Sequence, residues 1–369
     1  MNFLRNALIF PALPSPGSRR RIYPLFLPFA GCRKRCLFCA QEIQTGRTVM
    51  DVAEALRLAG ADLKKKKEHG APPPEVAFFG GTFTALAPED FQASLAAALR
   101  WREQGLASSL RCSTRPDALT PALIADLASA GFTQVELGVQ SFQDEALARS
   151  ERGYDARTAL EACRMVQDSG LGLGIQLMPG MPGLDAPGAA RDVALAREIA
   201  PLCVRLYPCL VLEDTALARL WRAGKYTPWT LEATVNFLAR SCLKLEKAGI
   251  AVIRMGLADG PDFAPKVLAG PRHPEIGNMA RSVALYLHVR AHILAWRQRA
   301  GRGVENVRLH VPRPLQGRFW GNRAALAPRY AAIGLGAKNV TWWDNPDFAL
   351  QSLENVALGE PDRGAEVLR

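Results

Sequence analysis

Eight cysteines carry the first chemical signal in this 369-residue chain. Three of them, Cys32, Cys36 and Cys39, fall in the run Cys32-Arg33-Lys34-Arg35-Cys36-Leu37-Phe38-Cys39, and the other five are scattered. For a chain this long that is no disulfide framework, and clustered cysteines point to a metal or redox site. The C-x3-C-x2-C spacing lets three thiolates of one loop take three corners of a [4Fe-4S] cube, whose fourth iron then stays open to a small molecule. A structural zinc site would need a fourth Cys or His, and the nearest candidate, His69, lies 30 residues beyond Cys39. Zinc and three unliganded thiols are the alternatives. Cys203 and Cys209, six apart on one expected strand, need not face the same way, so one cluster is expected. His288 and His292 sit four apart on an expected helix with no carboxylate between them. That rules out HExxH chemistry and predicts two partly exposed histidines.

The elements that must position these residues follow from periodicity. Short apolar runs at 24–29, 75–79, 109–113, 134–139, 173–177 and 204–210 each precede a helical pattern. Alternation of this kind predicts a parallel sheet, and six βα units suit a partial barrel better than the closed eightfold form. The fold class expected is therefore α/β, a partial (β/α)6 barrel with a small C-terminal α/β module. A further strand is expected at 251–255, Gly- and Pro-rich loop from 260 to 277, and a helix over 279–299. Strands at 307–311 and 339–343 should flank a helix at 322–332. The domain reading is an N-terminal tail over 1–21, a core barrel over 22–260, and the loop and small module over 261–369.

Composition sets the outer limits. Hydrophobic residues make up 49% and charged residues 22%, a balance that builds a packed core and excludes a largely disordered chain. The longest stretch without Asp, Glu, Lys or Arg is 169–184, and it holds five Gly and two Pro. A spanning helix needs roughly 18 apolar residues, so no membrane span is expected. No secretory pattern is read at the N-terminus, and a cytoplasmic protein is expected. Net charge is +11. Residues 1–70 hold 13 Lys/Arg against 5 Asp/Glu and residues 271–350 hold 12 against 4, whereas 71–270 hold 19 against 22. Basic ends that meet in space would suit a polyanion.

Five segments together carry a family resemblance. The cysteine motif after the first strand, with Phe38 before the third Cys, resembles the radical S-adenosylmethionine (SAM) superfamily. Phe78-Phe79-Gly80-Gly81-Thr82 closes the second strand, Cys112-Ser113-Thr114-Arg115-Pro116-Asp117 follows the third, and Val135-Glu136-Leu137-Gly138-Val139-Gln140-Ser141-Phe142 forms the fourth, with Arg152 twelve residues after Gln140. Gln176-Leu177-Met178-Pro179-Gly180 ends the fifth. These are similar to oxygen-independent coproporphyrinogen oxidases and to the radical-SAM half of the Elongator catalytic subunit. Arg205-Leu206-Tyr207-Pro208 and Leu220-Trp221-Arg222-Ala223-Gly224-Lys225-Tyr226 resemble the Elongator subunit specifically.

The resemblance implies one [4Fe-4S] cluster on Cys32, Cys36 and Cys39, with SAM chelated on the open iron and cleaved to a 5′-deoxyadenosyl radical. It implies cofactor contacts from Phe38, Gly80, Gly81, Thr82, Ser113, Gln140, Arg152 and Gln176. Within that set the Gly-Gly pair exposes backbone to the SAM amino group and Arg152 meets the carboxylate. Ser113 replaces a glutamate of the oxidases and Gln176 an aspartate. Arg205 and Tyr207 are the implied catalytic pair; Elongator has lysine where this chain has Arg205. The substrate implied is an RNA base or nucleotide, with tRNA as partner and a flavodoxin- or ferredoxin-type electron donor. The alternatives are radical chemistry on a small metabolite or porphyrin-like molecule, and a non-catalytic iron–sulfur or nucleic-acid-binding module.

Overall fold

A computed structural model describes residues 7–13, 21–46, 51–257, 263–300 and 307–352. The chain divides into two compact units. One comprises Pro16–Thr234 and Ile250–Pro274, the other Met1–Ser15, Val235–Gly249 and Glu275–Arg369.

The first unit is built on a seven-stranded sheet whose neighbours are all parallel and follow chain order: Ile22–Phe26, Glu75–Phe79, Ser109–Thr114, Phe132–Gln140, Gly172–Leu177, Cys203–Leu206 and Ala251–Met255. It is a partial barrel. Six strands were expected in the repeat; the separate run at 251–255 pairs with Cys203–Leu206 and supplies the seventh. The sixth strand stops at Leu206, earlier than expected, and Val211–Leu212 pairs antiparallel with Val267–Ala269 instead.

Helices close the βα units, and their starts are written in the sequence. Asp51, Thr120, Asp155 and Asp185 each accept a backbone N–H three residues on, at the heads of Val52–Glu68, Pro121–Ser129, Ala156–Asp168 and Ala186–Ile199. Such caps satisfy donors that have no partner inside the helix. Phe78 packs at 4.7 Å from Phe83 and 5.7 Å from Phe132, so the aromatic core lies directly beneath the turn that ends the second strand. The fourth strand is buried along nearly its whole length, as a strand covered on both faces must be. Its ladder with the fifth strand shifts register between Leu137 and Gln140.

In the second unit four strands lie in the order Leu8–Pro11, Asp347–Ser352, Val307–Pro312, Val340–Trp343. Part of the stretch expected as a tail is thus a strand, paired antiparallel with residues almost at the other end of the chain. The histidine expectation holds for His292, which is half-buried, and is corrected for His288. His288 is buried, its Nε2 2.8 Å from the Pro11 carbonyl oxygen, and the His292 ring stacks on Phe10 at 4.1 Å. Burial pulls His288 down to about 4 and lowers His292 as well, and both rings pack against Phe10. Among the described residues no helix is long and apolar enough to cross a membrane.

Candidate active site

The cysteine loop leaves the first strand and is pressed against the turn after the second. Thr82 N donates to Ala30 O at 2.7 Å, and Gln41 Oε1 accepts from both Phe29 N (2.6 Å) and Gly81 N (2.9 Å). Gly31 and Gly81 both have positive φ, and a Cβ at either would overlap main-chain atoms of the opposing loop: the Thr82 carbonyl oxygen for Gly31, the Ala30 carbonyl oxygen for Gly81. Backbone cannot rotate away as a side chain can, so both positions require glycine. Gly81→Ala is therefore expected to cost about 3 kcal/mol or more, a fall in Tm of roughly 6–12 °C, and to displace the cysteines. Thermal unfolding together with iron retained after anaerobic reconstitution checks this; an unchanged Tm would show that the two loops are free to separate.

Cys32, Cys36 and Cys39 open into one cavity of about 280 Å³, which Gly80, Gly81, Gln140, Arg152 and Gln176 also line. The sulfurs are not equivalent. Cys32 Sγ lies 3.2 Å from Thr82 Oγ1. Cys36 Sγ accepts from Arg152 Nη1 at 3.0 Å and from Arg115 Nη1 at 3.6 Å. Burial, with Cys36 and Cys32 adding repulsion, pushes the Cys39 thiol up to about 12; Cys32 is raised for the same leading reason. Cys32 and Cys39, thiols that resist ionisation, need cations beside them to act as thiolates, and the irons of a cluster are such cations. Among the described residues no group of three or more His, Cys, Asp or Glu is set to hold a metal ion; a cube makes no such demand, since its three cysteines bind three different irons.

Across the cavity, Gln140 sits at the register shift of the fourth strand with φ +66°. The residue is buried, yet its Oε1 has no hydrogen-bond partner. An orphaned buried acceptor is costly, and Gln140 is among the residues that line the cavity. Sequence comparison agrees with this geometry: residues 26–187 match the radical SAM superfamily and residues 201–284 the radical SAM C-terminal domain. The chain belongs to the radical SAM superfamily.

Among curated proteins it is 36% identical over 137 residues to the tRNA uridine(34) acetyltransferase of Methanocaldococcus jannaschii, covering 36% of this chain and 25% of that protein. It is 27% identical over 200 residues to human Elongator complex protein 3, covering 48% and 36%. The chain thus spans about a quarter to a third of these relatives. The archaeal Methanocaldococcus infernus Elp3 structure with an N-terminal deletion superposes with a TM-score of 0.56 at 22% identity, over 72% of this chain and 63% of that one, a likeness of fold.

The remaining wall of this radical SAM barrel is a buried polar network. Glu136 is 1% exposed and accepts from Arg205 Nε (2.6 Å), Arg205 Nη2 (3.0 Å) and Arg111 Nη1 (3.0 Å), while Arg111 also reaches Glu75 at 3.2 Å. Gln176 Nε2 lies 3.3 Å from both Ser113 Oγ and Glu136 Oε2, and Arg205 Nη1 donates to Tyr207 Oη at 3.1 Å. Ser113, Gln176, Arg205 and Tyr207 are thereby brought together. Arg152 is committed otherwise: besides Cys36 it donates to the Gly138 carbonyl oxygen (2.6 Å) and to Tyr154 Oη (2.7 Å). Arg115 bonds the Arg152 carbonyl oxygen and pairs with Asp117 at 2.8 Å.

Sequence reasoning gave no role to Glu136, Arg111, Arg115, Tyr154 or Gln41. For Glu136 a signal existed, a lone carboxylate between Val135 and Leu137 in a strand buried on both sides. Gln41 had none, because it acts by accepting from the backbone of Phe29 and of the distant Gly81.

Proposed function

We propose that this chain is a radical SAM enzyme that binds one [4Fe-4S] cluster and SAM in the cavity and acts on a base or nucleotide of tRNA. The observation that carries the reading is the shared cavity: three thiols, two arginines directed at one of them, and Gln140, whose buried Oε1 has no partner among the described residues. One-electron cleavage of a sulfonium is the chemistry such a cluster supplies when bound. Cys32, Cys36 and Cys39 would hold three irons. Arg152 and Arg115 would stabilise the Cys36 thiolate through charge-assisted hydrogen bonds, a part different from the carboxylate contact the resemblance implies for Arg152. Gln140 would accept from a hydroxyl or ammonium of the ligand. Gly80, Gly81 and Thr82 would border it through the turn they share, Phe38 would wall it from water, and Ser113 and Gln176 would offer neutral polar contacts. Arg205 and Tyr207 would face the substrate.

The tRNA substrate is supported by the names of the relatives and by the basic segments of the chain. An acceptor of single electrons also requires a donor, for which a flavodoxin- or ferredoxin-type protein of the cytoplasm is the natural class. The test is direct. Anaerobically reconstituted protein, given dithionite and SAM, should release 5′-deoxyadenosine; none from an iron-loaded preparation overturns the reading. Total tRNA should bind with log K falling linearly in log salt, by about 0.9 per duplex phosphate contacted. Affinity indifferent to salt would remove the RNA substrate.

A further inference from the structure

The charge of the cavity wall carries a second signal. Lys34, Arg35, Arg115, Arg152, Arg205 and Arg254 line it, with no aspartate or glutamate among the described lining residues. Two carboxylates stand behind the wall, Asp117 on Arg115 and Glu136 on Arg205, and Glu136 is shared with Arg111. The cofactors do not change this balance. A 4Fe–4S cube on three thiolates is singly negative in its oxidised resting form and SAM is singly positive, so the two cancel. A surplus of positive charge is left around a cavity whose Lys34, Arg35 and Arg254 are exposed and reachable from outside, and such charge attracts an anion.

The surplus is unevenly spread. In the reading above the first five strands and their loops supply the cofactor contacts, while the sixth and seventh supply Arg205, Tyr207 and Arg254 to the same cavity. Arg205 and Arg254 are register partners on these adjacent strands. Arg205 is both balanced and fixed in plane by two bonds to Glu136, which leaves its Nη1 on Tyr207 Oη. Arg254 is different. Its Nε donates to the Gly256 carbonyl oxygen at 3.1 Å, and its guanidinium has no ion pair among the described residues. A cation tethered by backbone alone, beside a rigid arginine and a phenol, is built to receive oxygen atoms from outside.

We propose that Arg254, with Arg205 Nη1 and Tyr207 Oη, forms a subsite for a phosphate of the substrate nucleotide, and that Arg254 sets the preference for a phosphorylated substrate. The proposal rests on the radical SAM reading and adds the chemical class recognised at the substrate end of the cavity. A planar guanidinium meets two phosphate oxygens at once, which a lysine cannot do.

Equilibrium binding of each nucleoside 5′-monophosphate and its nucleoside, to reconstituted protein saturated with SAM, isolates the phosphate. At least one monophosphate should bind about tenfold or more tighter than its nucleoside. Arg254→Gln should bring that ratio to near unity, and Arg254→Lys should restore only part of it. Inorganic phosphate should compete, and acetate at matched ionic strength should not. Equal binding of every monophosphate and nucleoside pair overturns the subsite, as does a preference unchanged in Arg254→Gln; acetate competing as well as phosphate overturns the phosphate assignment. Each of these can occur while the wild-type protein still cleaves SAM, so failure of the subsite is read separately from failure of the enzyme.

Discussion

Cys36→Ala should release no 5′-deoxyadenosine above background and should hold iron only at the level of an unreconstituted sample. The expectation rests on more than a missing ligand. Cys36 Sγ is the sulfur on which both guanidinium donors converge, Arg152 at 3.0 Å and Arg115 at 3.6 Å. The two arginines are themselves in contact, since Arg115 bonds the Arg152 carbonyl oxygen, and both stack near Tyr154, at 5.3 and 5.1 Å from its ring. Removing the sulfur leaves two neighbouring cations with less to donate to, while Cys32 and Cys39 remain half-buried thiols disfavoured from ionising. A site with two reluctant thiols and surplus positive charge has little hold on a cationic cluster. The comparison variant is Cys163→Ala. Cys163 is buried in the helix Ala156–Asp168 and does not line the cavity, so that variant should keep its iron and its SAM cleavage. Iron loss in Cys163→Ala equal to that in Cys36→Ala would mean that the cluster depends on general folding and not on this loop. Full SAM cleavage by Cys36→Ala would remove the mechanism altogether.

What the sequence made readable was whatever repeats locally. The run at 75–79 became the strand Glu75–Phe79 and the run at 251–255 became Ala251–Met255 without adjustment, because a short run rich in β-branched and apolar residues signals a strand whatever its partner. Leu8–Pro11 was missed for the opposite reason: its partner Asp347–Ser352, also unread, lies at the far end of the chain, and no local pattern reports a pairing of that separation. The same division holds inside the site. Cys32, Cys36 and Cys39 declare themselves by spacing within one loop. The requirement for Gly81 was expected from a ligand, and the structure adds a nearer cause in the Ala30 carbonyl oxygen. Glu136 was in view as a letter in a motif, but its importance comes from Arg111 and Arg205 on the third and sixth strands. Only the sheet order brings those strands to either side of it. Burial of charge is a property of register, and register is what a single sequence leaves open.

That network sets the second large effect. Glu136→Ala should lower stability by about 3–5 kcal/mol, the usual result of removing one member of a buried ion pair. The carboxylate is 1% exposed and serves two guanidinium groups at once. Arg111 would retain Glu75 at 3.2 Å, but Arg205 would keep no carboxylate among the described residues, only Tyr207 Oη and the face of Phe79. Most of the loss should therefore belong to Arg205, and this divides the effect experimentally. Adding Arg205→Met to Glu136→Ala removes the stranded charge, so the double variant should be more stable than Glu136→Ala alone, by about half of the loss. A double variant no better than the single one would assign the cost to Arg111 or to the cavity left by the side chain. A Glu136→Ala change within about 1 kcal/mol of wild type would show that water reaches the network. The consequence for recognition follows from the same geometry. Two bonds to Glu136 fix the plane of Arg205, and that plane presents Nη1 toward Tyr207 at the end of the cavity where Arg254 stands. Loss of Glu136 should then weaken the preference for a nucleoside monophosphate even with Arg254 intact, because the subsite would keep its charge and lose its shape.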